Sequence, residues 1–339
     1  AGVDLVRDES SLAHIRALFA KRGRAMPERN VVQADFPRGS TPIPNEHGTA
    51  PGIDLRLPRS GHPPCAIFAL PGVPAEMKPM WQHYVAPALS AMQPQARVIR
   101  HRRIKCFGVG EGQLGAMLPD LIRRGREPVG GIPPTDATIT LRITATGADA
   151  AECQAAIGPT EAVIRQSLGS LVFGEEGDEL EHAVARLLNE RGLTLAVAEW
   201  ATGGLIEDWL QDAVPGNPTF LALGLTSTSL DQLARVLVLS DEERRELLAA
   251  APHDAVVAER SAEGMRRLTG ADVGLAVAAF PPEVDAGDAR VCIALALPER
   301  TRRLRFGCAA HPAIRRARTA KQALNALRLT LLGAEAADG

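Results

Sequence analysis

The chain has 339 residues, 45% of them hydrophobic, and a formal net charge of −2. A chain of this length and composition can bury substantial cores and is expected to fold as two or three globular domains. No apolar run approaches the roughly 18 residues of a membrane span, and no signal-peptide pattern opens the sequence. We therefore expect a cytoplasmic protein without membrane contact, and the near-neutral charge does not favour polyanion binding.

Cysteine and histidine spacing gives no indication of a metal site. The five cysteines are far apart, and none of them forms a CxxC pair. Their odd number argues against a disulfide framework, and their spacing argues against a zinc site, so we expect them to be buried small apolar residues. The eight histidines are equally scattered, without an HExxH pattern. No metal site and no resident cofactor are predicted.

The first part of the chain predicts a helix, two strands and a second helix. Residues 9–24 show helical spacing of apolar side chains, with Ser10 as the helix cap. A loop rich in turn residues covers 44–52, and two strands follow it up to residue 70. The second helix has Glu76 in its first turn, where a carboxylate either stabilises the helix dipole or contacts a ligand. Both roles of Glu76 remain open.

The pattern of apolar residues over 97–176 predicts a small α+β region. It has two strands, 98–107 and 139–143, and two helices, 113–124 and 150–168. The segment 110–115 matches the GxGxxG pattern of dinucleotide sites, but the next strand offers no acidic residue for a ribose. The same segment contains the sequence GQLG, which is similar to the GxxG loop that clamps nucleic acid in KH domains. Basic residues precede it, yet no aromatic residues interleave for base stacking. A solvated basic face is favoured, and nucleic-acid binding is the less favoured alternative.

The most informative segment is the strand-to-helix turn Ala198 to Gly204. An apolar run at 193–198 predicts a buried strand, and 205–214 predicts a helix with Thr202 as its N-cap. A further helix is predicted upstream, with Asp178 as its cap. The two glycines permit a tight bend that turns backbone N–H groups toward an anion at the positive end of the helix dipole. A phosphate or a developing oxyanion would fit there, although an ordinary αβ turn remains the alternative.

Two loop motifs carry a family resemblance. Residues 48–52 (GTAPG) followed by 70–77 (LPGVPAEM) resemble the molybdopterin-binding-like domain of the CinA family of competence/damage-inducible proteins. The resemblance covers nearly the whole chain. It implies a multi-domain α/β protein in which a small α+β KH-like domain lies between three-layer α/β sandwich domains. The implied bounds are 1–95, 96–176 and 177–333, with a disordered tail at 334–339, and the implied assembly is a homodimer.

The resemblance also implies chemistry. The family's third domain is a nicotinamide mononucleotide deamidase, and its turn is typically AESCTGG, whose serine acts as the nucleophile. Trp200 stands in that position here, and an indole has neither a nucleophilic oxygen nor a nucleophilic sulfur. The family tyrosine and lysine fall on Ser227 and Gln232, and the family G-D-R turn falls on Ala309 to His311. The family glycine-rich loop falls on 276–282 (AVAAFPP), which has lost its glycines.

The family resemblance implies a nucleotide ligand, either nicotinamide mononucleotide or an ADP-ribose-like molecule. The implied binding residues lie in the two motifs of the first domain and in the turn of the third domain: Asn45, Gly48, Thr49, Gly72, Pro74, Glu76, Glu199, Thr202, Gly203 and Gly204. Family pyrophosphatase activity would need a divalent metal. The TGG-containing loop and acidic pair that form much of that site are absent from this sequence, so either the chain is a fragment or the domain is incomplete.

The four changed places favour one hypothesis over two others. We expect a CinA-like protein whose deamidase site is degenerate and whose domain is retained for binding, assembly or regulation. The competing hypothesis is an active deamidase or nucleotide pyrophosphatase that uses residues outside the family pattern. The third is nucleic-acid binding through the KH-like domain, which would be salt-dependent and would weaken when Arg102 and Arg103 are neutralised.

Overall fold

A computed structural model describes residues 2–93, 97–119, 127–132, 138–214, 216, 220–282, 287–308 and 310–334. The chain divides into two compact units, 1–96 and 97–339, each of which combines helices with strands. This confirms the predicted α/β, multi-domain class. Residues 335–339 of the predicted tail lie outside the described residues. Among the residues with coordinates, no helix has the length and apolarity needed to cross a bilayer.

The described residues of the first unit form small antiparallel sheets and short helices. The elements in chain order are β1 (Leu5–Arg7), α1 (Glu9–Lys21), β2 (Asp35–Pro37), β3 (Thr41–Ile43), β4 (Gly52–Arg59), β5 (His62–Ala69), α2 (Pro74–Met80) and α3 (Ala86–Met92), with a 3-10 helix Glu28–Ala34 before β2 and a π-helical turn Trp81–Val85 before α3. Strand β1 pairs with β2, and the other strands pair in the order β3-β4-β5. Met80 and Val85 are buried against Ile43, with Phe68 and Leu70 beside them.

The second unit begins with the KH-like part, residues 97–176. Its strands form an antiparallel sheet in the order β7-β8-β6-β9, and helix α5 packs on one face. The elements are β6 (Val98–Cys106), α4 (Glu111–Met117), β7 (Val129–Gly131), β8 (Ile139–Gly147), α5 (Ala150–Leu168) and β9 (Val172–Glu175). Ile104, Leu141 and Ile143 alternate with polar neighbours, so their side chains share the face that α5 covers.

The C-terminal part, residues 177–334, is a three-layer α/β sandwich. Its sheet has the order β11-β10-β12-β13-β14, with β11, β10 and β12 parallel and the last two strands antiparallel. Its elements are α6 (Leu180–Arg191), β10 (Leu195–Glu199), α7 (Leu205–Asp212), β11 (Leu221–Thr226), α8 (Leu230–Val236), α9 (Asp241–Ala249), α10 (Ala255–Thr269), β12 (Val273–Val277), β13 (Arg290–Ala296), β14 (Thr301–Gly307) and α11 (Pro312–Leu331). Helices α6, α7 and α11 bury one face, and α8, α9 and α10 bury the other.

Several predicted helix ends were wrong by a few residues, because the side chain that satisfies the first-turn N–H groups differs from the predicted one. Asp8, and not Ser10, caps α1 by accepting from the Ser11 nitrogen at 2.7 Å. Glu179, and not Asp178, caps α6 in a capping box with His182. In the KH-like part, the described helix ends at Met117, and 120–126 lie outside the described residues.

The cysteines are free thiols, and all of them except Cys65 are buried. Burial raises the pKa of Cys106 to about 12, so this thiol stays protonated at neutral pH. Burial also raises the pKa of Cys292 and Cys308. These side chains act as small apolar residues of the core.

Candidate functional site

Three loops meet where the parallel strands of the C-terminal part end. The carboxyl ends of β10, β11 and β12 lie at one edge of the sheet, as parallel pairing requires. The Ser227 nitrogen donates to the Glu199 carbonyl at 3.2 Å, and the Trp200 nitrogen donates to the Val277 carbonyl at 3.0 Å. The fold thus brings together the predicted positions Glu199, Trp200 and Ser227, which the sequence separates by up to 28 residues.

The Glu199 carboxylate occupies the N-terminal end of α7. This side chain is only 3% exposed. Its Oε2 accepts from the Gly204 and Ile206 nitrogens at 3.1 and 3.0 Å, and its Oε1 accepts from the Glu207 nitrogen at 2.9 Å. These are the N–H groups that the paired glycines were expected to offer to a ligand. The chain supplies its own anion to them, which satisfies both the unpaired donors and the helix dipole.

Thr202 does not cap this helix, contrary to the sequence prediction. Helix α7 begins at Leu205, and Gly204 precedes it with a left-handed φ of 94°. The Thr202 side chain is completely buried, and its Oγ1 has no hydrogen-bond partner among the described residues. The N-cap role is therefore wrong because the Glu199 carboxylate already takes the N–H groups that a threonine cap would accept from.

Arg316 of helix α11 holds the same turn from outside. Its Nη2 donates to the carbonyl oxygens of Thr202 at 2.9 Å and Gly203 at 3.3 Å. Gly203 has a left-handed φ of 60°, and a Cβ there would meet the end of the Arg316 side chain. The positive φ favours glycine at 203. Arg316 is not among the residues that the sequence predicts for the site, because nothing local to either segment signals a contact across 114 residues.

Trp200 is partly buried against the helical layer formed by α8, α9 and α10. Its side chain packs on the apolar cluster that contains Leu233, Leu237 and Val257, and Leu225 and Leu230 flank the same cluster. A large apolar side chain thus occupies this position of the turn, and it stabilises the packing of this layer.

The hydroxyl of Ser227 is engaged locally. Its Oγ lies 3.3 Å from Gln232 Oε1 and 3.3 Å from the Ser229 carbonyl, and it accepts from the Ser229 nitrogen at 3.2 Å. The structure therefore brings the predicted positions Ser227 and Gln232 into contact. A neutral amide is not a base for this hydroxyl, and the contacts fix the loop that leads into α8.

The loop at 276–282 offers few backbone donors. Ala276 and Val277 are the last residues of β12. The next two nitrogens, of Ala278 and Ala279, donate to the carbonyls of Cys292 and Pro252, each at 3.0 Å. Phe280 then packs against the core, and Pro281 and Pro282 have no N–H group. Backbone pairing within the protein thus uses the donors that a phosphate nest would need.

His311 is the N-cap of α11. Its Nδ1 accepts from the Ala313 nitrogen at 3.2 Å, so the imidazole in this role acts as a hydrogen-bond acceptor. Ala309 lies outside the described residues. Arg315 donates through Nη2 to the Ala310 carbonyl at 2.9 Å, which braces the start of the helix.

In the first unit, Asn45 organises the loop that carries the first predicted motif. Asn45 is 2% exposed, and its Nδ2 donates to the Ala50 carbonyl at 2.9 Å and to Glu76 Oε2 at 2.7 Å. Its Oδ1 accepts from the nitrogens of His47 and Gly48 at 3.1 and 2.9 Å. The amide of Asn45 is therefore fully used by the loop and by Glu76 of α2.

The Glu76 side chain lies against Gly48, so the two motifs of this unit, 48–52 and 70–77, are in direct contact. A Cβ at Gly48 would lie 2.1 Å from Glu76 Oε2, whereas a Cβ at Gly72 would meet nothing within 4 Å. Pro74 is the first residue of α2, and Thr49 is half-buried. The structure thus brings Asn45, Gly48 and Glu76 together and gives Pro74 a helix-starting position.

A divalent metal does not fit the described residues. Across the described ranges, no group of three or more His, Cys, Asp or Glu side chains is arranged to hold an ion. No reaction step is therefore assigned to a metal.

Acidic side chains pair with two arginines of the basic strand β6 in the KH-like part. Arg102 donates to Glu161 at 2.9 Å and to Glu175 at 2.7 Å, and Arg103 lies 3.3 Å from Glu176. Burial alone would raise the pKa of Glu161, but the hydrogen-bonded guanidinium groups outweigh this effect and lower it. These guanidinium groups already have anionic partners, which does not favour a phosphate-binding role.

Two family models match most of the second unit. The family model described as "Damage-inducible protein CinA KH domain" matches residues 101–174, and the model "CinA C-terminal domain" matches 177–331. A putative competence-damage inducible protein of Symbiobacterium thermophilum is 39% identical over 306 residues, covering 87% of this chain and 68% of that protein. The chain belongs to the CinA family. The relatives extend this membership to the first unit, because a CinA-like protein of Gloeobacter violaceus is 36% identical over 98% of this chain.

The relatives of the CinA family are longer than this chain. The chain covers 78% of the Gloeobacter protein and 64% of a putative competence-damage inducible protein of Desulforamulus reducens, which is 32% identical. A solved CinA superfamily protein from Klebsiella pneumoniae matches 45% of this chain and 96% of its own length, with 23% identity and a TM-score of 0.40.

Proposed function

We propose that the CinA C-terminal domain of this chain does not hydrolyse nicotinamide mononucleotide and is retained for ligand binding or assembly. The observation that carries the proposal is that no hydroxyl of the described turn contacts a base. Among the described residues, Thr202 Oγ1 is buried without a partner, and Ser227 Oγ contacts Ser229 and Gln232. Serine or threonine attack on an amide needs a base that takes the hydroxyl proton.

The backbone donors support the same proposal. Hydrolysis of a carboxamide passes through an oxyanion, which enzymes stabilise with N–H groups that are free in the resting state. In this chain, Glu199 accepts from the donors at Gly204, Ile206 and Glu207, and backbone carbonyls accept from those at Ala278 and Ala279. A developing oxyanion would have to compete with a buried carboxylate for the donors of the turn.

The retained role that we propose is nucleotide recognition within a homodimer in the cytoplasm. The ligand would be nicotinamide mononucleotide or an ADP-ribose-like molecule, in keeping with the family. The scaffold around the turn supports retention, because Gly203 and Gly204 keep left-handed conformations that only glycine adopts easily.

The test is ammonia release from nicotinamide mononucleotide by the purified full chain, measured with a coupled assay, together with thermal unfolding in the presence of the nucleotide. We expect ammonia at the level of the protein-free control and a rise in Tm with ligand, because binding to the folded state stabilises it. Protein-dependent ammonia release over several turnovers would overturn the proposal. ADP-ribose is assayed in parallel with and without Mg²⁺, and hydrolysis would establish the pyrophosphatase alternative.

A further inference from the structure

Helix α11 contacts the candidate turn, residues 198–204, near one end and the KH-like part near the other. Arg316, in its second turn, donates to the carbonyls of Thr202 and Gly203. Arg328, near its last turn, donates to the KH-like part. The two arginines are twelve residues apart, which is about 18 Å along a helix axis. One continuous helix therefore contacts both places.

The contact with the KH-like part is made by a buried guanidinium. Arg328 is 3% exposed; its Nη2 donates to the Ser170 carbonyl at 2.6 Å, and its Nη1 donates to the Val172 carbonyl at 3.3 Å. The neighbouring Asn325 Oδ1 accepts a hydrogen bond from Arg328 Nε at 3.0 Å, which fixes the orientation of the guanidinium group. Burial lowers the pKa of Arg328 to about 10, so the guanidinium remains protonated at neutral pH.

A second contact lies midway along α11. Lys321 Nζ is 3.1 Å from Glu179 Oε2, and Lys105 Nζ of strand β6 is 2.9 Å from Glu179 Oε1. Lys321 also lies over the ring of Trp209, 5.9 Å from its centroid. Trp209 belongs to α7, the helix that starts at the candidate turn. The carboxylate of Glu179 thus links the KH-like strand to α11, and α11 contacts α7.

Close packing makes α11 a stiff connection. Its apolar face, which includes Leu324 and Leu327, belongs to the same core as Ile206 and Leu210 of α7. Side chains in such a core have little free volume, so a displacement of the helix at one end is felt along its length.

We propose that the KH-like part braces the candidate turn through α11, with Arg328 and Lys321 as positioning residues that keep Arg316 on the carbonyls of Thr202 and Gly203. The KH-like part then has a mechanical function in this chain, independent of any nucleic acid. The proposal holds whether or not the turn catalyses a reaction, so its test is separate from the ammonia assay.

The test is hydrogen exchange of the full chain, read at the Gly204, Ile206 and Glu207 amides that donate to Glu199. Arg328→Met removes the donors to Ser170 and Val172 and preserves most of the side-chain volume. Its matched control is Arg302→Met, because Arg302 donates to Thr330 Oγ1 on the same helix at 3.0 Å without contacting the KH-like part. We expect exchange at the three amides to accelerate about fivefold or more in Arg328→Met and to stay within about twofold in Arg302→Met, since local opening reports local stability.

Lys321→Met is the second variant, because it breaks the link to Glu179 without leaving carbonyls of the KH-like part unsatisfied. The amides of Gly204, Ile206 and Glu207 should exchange faster in Lys321→Met than in the parent protein. If Arg328→Met does not fold, Lys321→Met alone tests whether the KH-like part braces the turn. If hydrogen exchange in Arg328→Met becomes faster only at residues 170–175, and the three amides of the turn keep their rates, the proposal is overturned. Unchanged rates at the turn in a folded Lys321→Met protein would also overturn it.

Discussion

The Glu199 carboxylate lies 2.9 Å from the backbone nitrogen of Glu207, at the N-terminal end of α7. Replacing Glu199 with glutamine preserves one acceptor oxygen but removes the charge from three hydrogen bonds. We expect Glu199→Gln to lower the free energy of unfolding by about 1–3 kcal/mol, because hydrogen bonds to charged groups are the stronger ones. Urea denaturation measures this, with the exposed Asp208→Asn as the control in the same turn.

Thr202→Val tests the assignment of the helix cap. The Oγ1 atom is buried without a partner in the described part of the chain, so its replacement by a methyl group removes an unsatisfied hydroxyl. We expect the free energy of unfolding to stay within about 0.5 kcal/mol of the parent value or to rise. A threonine N-cap would instead cost about 0.5–2 kcal/mol on removal. A loss in that range would return Thr202 to the capping role.

Trp200→Ser places a hydroxyl at the position that the family resemblance predicts for a nucleophile, but it does not supply a base. We expect no ammonia release from nicotinamide mononucleotide, and a destabilisation of about 2–4 kcal/mol, because a partly buried indole leaves the packing against α8 and α10. The coupled ammonia assay and thermal unfolding measure the two effects. Trp200→Phe is the control, since it preserves most of the apolar contact. Turnover by Trp200→Ser alone would show that a base has been missed.

Gly48→Ala should disturb the first unit, whereas Gly72→Ala should not. A methyl group at 48 would collide with the Glu76 carboxylate, but one at 72 has open space around it. We expect Gly48→Ala to cost about 1–3 kcal/mol, the usual range for overpacking, and to break the bond from Asn45 to Glu76. Thermal unfolding of the two variants side by side measures the difference. Equal Tm values would contradict the close approach of Gly48 and Glu76.

Protonation of Glu243 should account for part of the loss of folding stability at acidic pH. Hydrogen bonds from Arg267, opposed by burial and assisted by hydrogen bonds with Ser240, together lower the pKa of Glu243 to about 2. Because the folded-state pKa lies below the ordinary value of 4.5, this group stabilises the fold fully above about pH 4.5, and the contribution is lost as the pH falls toward 2.

Glu243→Gln should therefore lower the free energy of unfolding by about 1–2 kcal/mol at pH 7, a figure that allows for partial exposure of the pair. The difference from the parent protein should shrink between pH 4.5 and pH 2. Urea unfolding at pH 7, 4.5 and 3 measures it, with the exposed neighbour Glu242→Gln as the control. A difference that does not change with pH would assign the whole effect of Glu243 to uncharged capping.

Local patterns in the sequence were sufficient for much of the fold. The apolar run ending at Ala198, the following glycines and the helix after them predicted β10, the turn and α7 nearly at their observed positions. Helix α5 was predicted at its observed bounds, Ala150–Leu168. The identity of residue 200 also needs no structure, since an indole lacks nucleophilic oxygen wherever it lies.

The roles of the site residues depended on contacts that no local pattern encodes. The sequence by itself determined the family, the αβ turn and the presence of an indole at residue 200. Only the tertiary structure decided that Glu199, rather than Thr202, satisfies the start of α7, and that Arg316 reaches the turn from 114 residues away. The physical reason is that hydrogen-bond donors are satisfied by whichever acceptor the fold brings within about 3 Å, and chain separation has no part in that choice.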